Sequence, residues 1–182
     1  MTDSCKAHVN IPLQQIQQEV KRLLSRNNIL KAPVPVFLIA NNDGISIREA
    51  PTAANVSGAL VRSGPAVFIA VNSVHHTNRQ RFTVAHELAH YYLGHLNSDL
   101  HVDDDFTIKK RDERSSLAID SNEIAANQFA AELLMPVDFI ITDAAEIMPI
   151  DQEKARRLAR KYQVSEQAMT IRLSNLGFLP PA

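Results

Sequence analysis

The sequence predicts a mainly helical α+β domain with a small three-stranded sheet and a closing pair of C-terminal helices. Three observations lead there. Apolar residues recur at helical spacing through most segments. Short apolar runs bounded by Pro, Asn and Gly cluster in the first third of the chain and read as strands. The 182 residues, 45% hydrophobic and 21% charged, have an ordinary globular composition and suffice for one core.

The elements follow in order. From Ile11 to Arg26, Leu13, Ile16, Val20, Leu23 and Leu24 form the apolar stripe of a helix, with Pro12 in its first turn. Val36 to Ala40 reads as a strand behind Pro33 and Pro35, and Asn41 to Gly44 as a turn. Ile45 and Ile47 alternate with Ser46 and Arg48 as in a half-buried strand. Val56 to Arg62 is a candidate short strand, and Ala66 to Asn72 is strongly β-like. Two or three of these runs are expected to pair, antiparallel or mixed.

A helix is expected from about Asn78 to His95. Leu96 to Asp120 has no clear period and reads as a charged, solvated loop. Ser121 or Asn122 is placed to cap a helix running to Leu134, which Met135-Pro136 ends. Short helices follow from Val137, from Asp151 to Tyr162, and from Ser165 to Gly177. The expected division is a main domain over 1–148 and a helical segment packed on it over 149–182.

The formal net charge of −1 excludes a strong general attraction to nucleic acid or anionic lipid. The single cysteine, Cys5, cannot form an internal disulfide and reads as a free thiol. Residues 1–10 lack the basic and apolar regions of a signal peptide, and no apolar run reaches membrane length. The expectation is a cytoplasmic protein with no membrane partner.

His86-Glu87-Leu88-Ala89-His90 carries the chemistry. On a helix, residues four apart share a face about one turn apart, roughly 6 Å along the axis. Both imidazoles can then reach one metal ion, with the Glu87 carboxylate close enough to act on water there. A catalytic site of this kind uses a third protein ligand and leaves one position open. The candidates are His95, His101, Asp103 to Asp105, and the helix from Ser121 to Leu134. The metzincin spacing fails, because Leu93 and Leu96 stand where a glycine and a histidine belong. His95 lies about 180° from His86 on a continuous helix and reads as a surface or capping residue.

Two blocks together resemble one family. Arg81-Phe82-Thr83-Val84-Ala85-His86-Glu87-Leu88-Ala89-His90 and Glu123-Ile124-Ala125-Ala126-Asn127-Gln128-Phe129-Ala130-Ala131-Glu132-Leu133-Leu134-Met135-Pro136 are similar, in order and separation, to blocks of the ImmA/IrrE-type zinc metallopeptidases. The similarity runs from the prolines near Val34 to Gly177. It implies a gluzincin-like fold and one Zn²⁺ held by His86, His90 and Glu123. It also implies Glu87 as general base and Asn127 as the residue that orients a ligand histidine, fixing its second ring nitrogen. Ala125 stands where many relatives carry a second glutamate; Glu123 takes the ligand role because it places Asn127 one turn further on. Glu132, half a turn out of phase with Glu123, reads as solvent-facing.

The resemblance implies a soluble endopeptidase acting on a protein substrate such as a helix-turn-helix repressor. Tyr91, Tyr92, His75 and His76 are candidates for a second oxyanion donor. The Ala66–Asn72 run is the candidate edge strand for pairing with extended substrate.

The rival function class is a DNA-binding or partner-binding regulator in which zinc is only structural. Ala155 to Leu176 resembles a helix-turn-helix and is locally basic, with Lys154, Arg156, Arg157, Arg160, Lys161 and Arg172. Gln163 replaces the usual turn glycine, and the second helix carries few base-reading side chains. The retained Glu87 favours the enzyme, since a structural site needs no carboxylate beside the ion.

Overall fold

A computed structural model describes residues 11–95, 100–104 and 113–180. Seven helices and four strands lie among them: α1 Leu13–Arg26, α2 Val36–Asn42, β1 Ile45–Ala50, β2 Val56–Ser63, β3 Ala66–Asn72, α3 Thr77–Tyr92, β4 Leu100–Asp104, α4 Glu113–Leu134, α5 Val137–Ala145, α6 Gln152–Tyr162 and α7 Glu166–Asn175. The chain is a mainly helical α+β fold with a small mixed sheet. No single helix among the described residues is long and apolar enough to cross a membrane.

The sheet has the order β1-β3-β2-β4. β1 pairs parallel with β3, whereas β2 runs antiparallel to both β3 and β4. The three strands read from Ile45, Val56 and Ala66 thus form the sheet, and β4 extends it. β3 is flanked on both sides, by Ile47↔Ile69 towards β1 and Leu60↔Ile69 towards β2. Its backbone groups are committed, so the expectation that Ala66–Asn72 is a free edge is corrected. The edges are β1 and β4.

Two further expectations are corrected here. Val36–Ala40 is not a strand but the start of α2, which buries Val36, Ile39 and Ala40. That spacing is helical, and a five-residue apolar run alone does not distinguish the two periods. The turn signal after it is a helix end, with Asp43 at the C-cap and Gly44 at φ 74°, the left-handed region glycine tolerates. Residues 96–120 are not a continuous loop either. They contain β4 and the first turns of α4, which begins eight residues before Ser121.

One core joins sheet and helices. α3 packs on β2 and β3 and lies against α4. Gly58 of β2 sets the distance: a Cβ there would stand 2.4 Å from Thr83 Cγ2 and 2.7 Å from the Ala70 carbonyl oxygen. Arg81, buried on α3, donates to the carbonyls of Val34, Tyr162 and Gln163 at 3.0, 3.4 and 3.3 Å. It ties α3 to the approach to α2 and to the end of α6. Phe129, Leu133 and Leu134 of α4 and Met169 and Leu173 of α7 fill the same core.

Glu132 is buried, not solvent-facing. The helical phase is as expected, but the opposite face of α4 is covered. Glu132 accepts from Arg172 of α7 at 2.5 Å and from the backbone N–H of Val137 at 3.0 Å, where α5 starts. Arg172 also donates to the Met135 carbonyl at 3.1 Å.

Candidate metal centre

α3 supplies two of the three converging side chains. Its middle is enclosed by the sheet and α4, and His86, Glu87 and His90 are all buried. His86 and His90, one turn apart, bring their Nε2 atoms to 3.0 Å. α4 runs beside α3 and delivers Glu123, whose Oε2 lies 3.1 Å from His86 Nε2 and whose Oε1 lies 3.4 Å from His90 Nε2. The donor atoms of these three residues lie within 4.8 Å of one another, and the cluster could hold a metal ion. Ala125, two residues on, belongs to the core.

The donor set fits an ion. Four ligands at about 2.0–2.1 Å around a tetrahedral centre stand roughly 3.3 Å apart. The separations of 3.0, 3.1 and 3.4 Å bracket that value. The tautomers fit as well. Asn127, one turn after Glu123, places Oδ1 3.1 Å from His86 Nδ1. A carbonyl oxygen accepts, so His86 carries its hydrogen on Nδ1 and turns the Nε2 lone pair to the shared point.

Burial alone would raise the Glu123 carboxyl. The facing His86 and His90 imidazoles outweigh it and hold that carboxyl far below the usual carboxylate range. Burial pushes the His90 imidazole down despite Glu123, favouring the neutral form that ligates. Glu87 follows His86 directly and is 0% exposed.

His95 has a role that helical phase obscured. α3 ends at Tyr92, and Gly94 at φ 72° turns the chain back. The His95 backbone N–H donates to the His90 carbonyl at 2.9 Å, and its ring Nδ1 lies 3.2 Å from His90 Nδ1. It braces one ligand histidine as Asn127 braces the other. The expectation of a surface or capping residue is corrected; Gly94 was the signal that the helical extrapolation fails.

The remaining candidates make other contacts or lie outside the described residues. Tyr92 donates its hydroxyl to Asp43 and stacks on Phe129. Tyr91 packs edge-on against Tyr92. His75 meets the Ala54 carbonyl at 3.0 Å through Nε2, and His76 caps α3 by accepting from the Asn78 N–H. Cys5 and Asp105, and the side chains of His101, Asp103 and Asp104, are outside the described residues.

The C-terminal pair turns at Gln163, which adopts φ 54° where a glycine is usual. α7 buries Met169 and Leu173 in the core. Arg156 pairs with Glu166, and Lys161 with Asp143.

Comparison with known proteins agrees with this geometry. Residues 40–174 match the family model of the IrrE N-terminal-like domain, peptidase M78. No curated protein matches the chain. A solved Mycobacterium tuberculosis transcriptional regulator is similar in fold, with a TM-score of 0.63 at 17% identity. The match covers 91% of this chain and 48% of that one, so the chain spans about half the length of that regulator.

Proposed function

The chain belongs to the M78 peptidase family of IrrE N-terminal-like domains, and from that premise we propose that it is a zinc-dependent endopeptidase. The observation that supports this best is the convergence of His86, His90 and Glu123 on one point beside a buried glutamate. Two imidazoles and a carboxylate suit zinc and leave a position open. When bound, the ion supplies Lewis-acid chemistry that polarises a peptide carbonyl and makes water nucleophilic near neutral pH.

The protein's own residues do the rest. His86, His90 and Glu123 hold the ion, and Asn127 and His95 fix the two rings. Glu87 takes the proton of the attacking water on a carboxylate oxygen, then gives it to the leaving amine nitrogen. Its burial keeps that proton from bulk solvent.

The substrate we favour is a regulatory protein such as a helix-turn-helix repressor. The family resemblance supports that choice. DNA binding through α6 and α7 has less support. Met169 and Leu173 commit one face of α7 to the core, and two basic residues nearby are paired with acids. A salt-sensitive shift of duplex DNA would restore that reading.

The test compares wild type with Glu87→Gln for zinc content and for cleavage of repressors encoded beside the gene. Both should bind zinc, and the variant should lose at least about 100-fold in cleavage. A wild type that binds no zinc, or equal cleavage by both proteins, overturns the proposal.

A further inference from the structure

A groove of about 1120 Å³ runs between α3, α4 and α7, with Phe82, Asn127, Ala131 and Ile171 among its lining residues. His86, Glu87, His90 and Glu123 do not line it. It approaches the candidate metal centre from behind, through Asn127, whose Oδ1 lies 3.1 Å from His86 Nδ1. That ring edge is turned away from the converging donor atoms, since Nε2 faces His90 and Glu123. The hydrogen bond that sets the His86 tautomer therefore lies at the wall of an open groove.

Phe82 stands at the same wall. It lies one turn before His86 on α3, so the two side chains share a face. Its ring centroid is 6.2 Å from that of His86, with the planes tilted by 34°. Phe82 is 38% exposed, one of the large apolar side chains that the fold leaves uncovered, whereas His86 is 2% exposed. The phenyl ring thus borders both the groove and the imidazole.

A hydrogen bond is stronger where water is kept away, because the local dielectric is low and no competing partner is at hand. Phenylalanine has no side-chain donor or acceptor, so it covers the imidazole without competing for the Nδ1 hydrogen. Water in its place would offer Nδ1 a second partner. The ring would then lose the fixed tautomer and orientation that ligation needs.

We propose that Phe82 is a positioning residue of the metal centre. It keeps groove water off the His86–Asn127 hydrogen bond, and so holds His86 with its hydrogen on Nδ1 and its Nε2 lone pair on the shared point. It acts through His86 and touches neither ion nor substrate. The role needs an apolar side chain of sufficient reach, so Leu serves at this position and Ala does not. This rests on the reading of His86, His90 and Glu123 as a metal centre.

The experiment uses the zinc-loaded full chain with heavy nitrogen in its histidines. NMR measures exchange of the His86 Nδ1 hydrogen with water, and competition with a chelator measures zinc affinity. Phe82→Ala should speed exchange by about tenfold or more. It should weaken zinc binding about three- to tenfold, less than removal of a direct partner of the ligand. Phe82→Leu should recover most of both. In an Asn127→Ala background, Phe82→Ala should change zinc affinity no further, because the bond it protects is gone. If Phe82→Ala does not fold by circular dichroism, Phe82→Gln, of similar reach but able to hydrogen-bond, replaces it with the same expected losses.

Unchanged exchange or unchanged affinity in the folded variant overturns the proposal and leaves the metal centre standing. Losses that add fully to those of Asn127→Ala also overturn it, because Phe82 would then act by packing alone. A wild type that binds no zinc overturns the metal-centre reading itself, and the role of Phe82 falls with it.

Discussion

His95 folds back on His90, with the two Nδ1 atoms 3.2 Å apart. One of the two rings must donate there and the other accept, so His95 selects the tautomer of a side chain in the candidate metal centre. Removing such a partner typically costs ten- to a hundredfold in metal affinity. His95→Ala is therefore expected to weaken zinc binding by about tenfold or more in competition with a chelator. Asn127→Ala should act similarly through His86. Unchanged affinity in His95→Ala would make the contact incidental.

Bound metal should stabilise the fold, because the donors come from two helices with 36 residues between His86 and Glu123. At a free zinc concentration about 100 times the dissociation constant, the gain is roughly 2.7 kcal/mol. For a chain of this size that raises Tm by about 5–10 °C. Calorimetry with and without a chelator measures it, and His86→Ala should abolish the difference. A shift of the same size in that variant would place the metal elsewhere.

Arg81→Ala should destabilise the protein by about 3 kcal/mol or more, since the buried carbonyls of Val34 and Tyr162 lose a charged donor. Arg81→Lys should recover only part, because an ammonium cannot reproduce the planar fork. Urea denaturation reads both values. A loss below about 1 kcal/mol would mean that water replaces the guanidinium without penalty.

Gly58→Ala should cost about 1–3 kcal/mol, the range for overpacking a close contact. Thr83→Ser removes the Cγ2 that the new methyl meets and should restore part of the loss. The Ala70 carbonyl at 2.7 Å is backbone and cannot give way as easily. Additive effects in the double variant would deny that β2 and α3 touch at this point.

The metal centre was largely legible because its logic is local. Two histidines four apart and a glutamate four before an asparagine are each written within a single helical turn. His95 was missed because extrapolating α3 past Gly94 puts the ring on the wrong side; only the glycine marks the reversal. Val36–Ala40 misled because five apolar residues fit either period, and burial at Val36, Ile39 and Ala40 is decided by what surrounds them. Glu132 misled for a related reason. Its angle on α4 is computable from sequence, but the arrival of Arg172 forty residues later is not. The place of β3 inside the sheet likewise depends on β1 crossing to its far side.

Glu123 and Glu132 stand on opposite faces of one continuous helix. One faces the metal centre; the other is anchored to the last helix by an ion pair with Arg172 at 2.5 Å. Trimming the chain ahead of α7 would leave the buried Glu132 side chain with the Val137 N–H but without its charged partner, a loss of several kcal/mol. The C-terminal helix is therefore no detachable tail. A protease that nicked it away would loosen the same rod that carries Glu123, and the candidate metal centre would be undone from its far end.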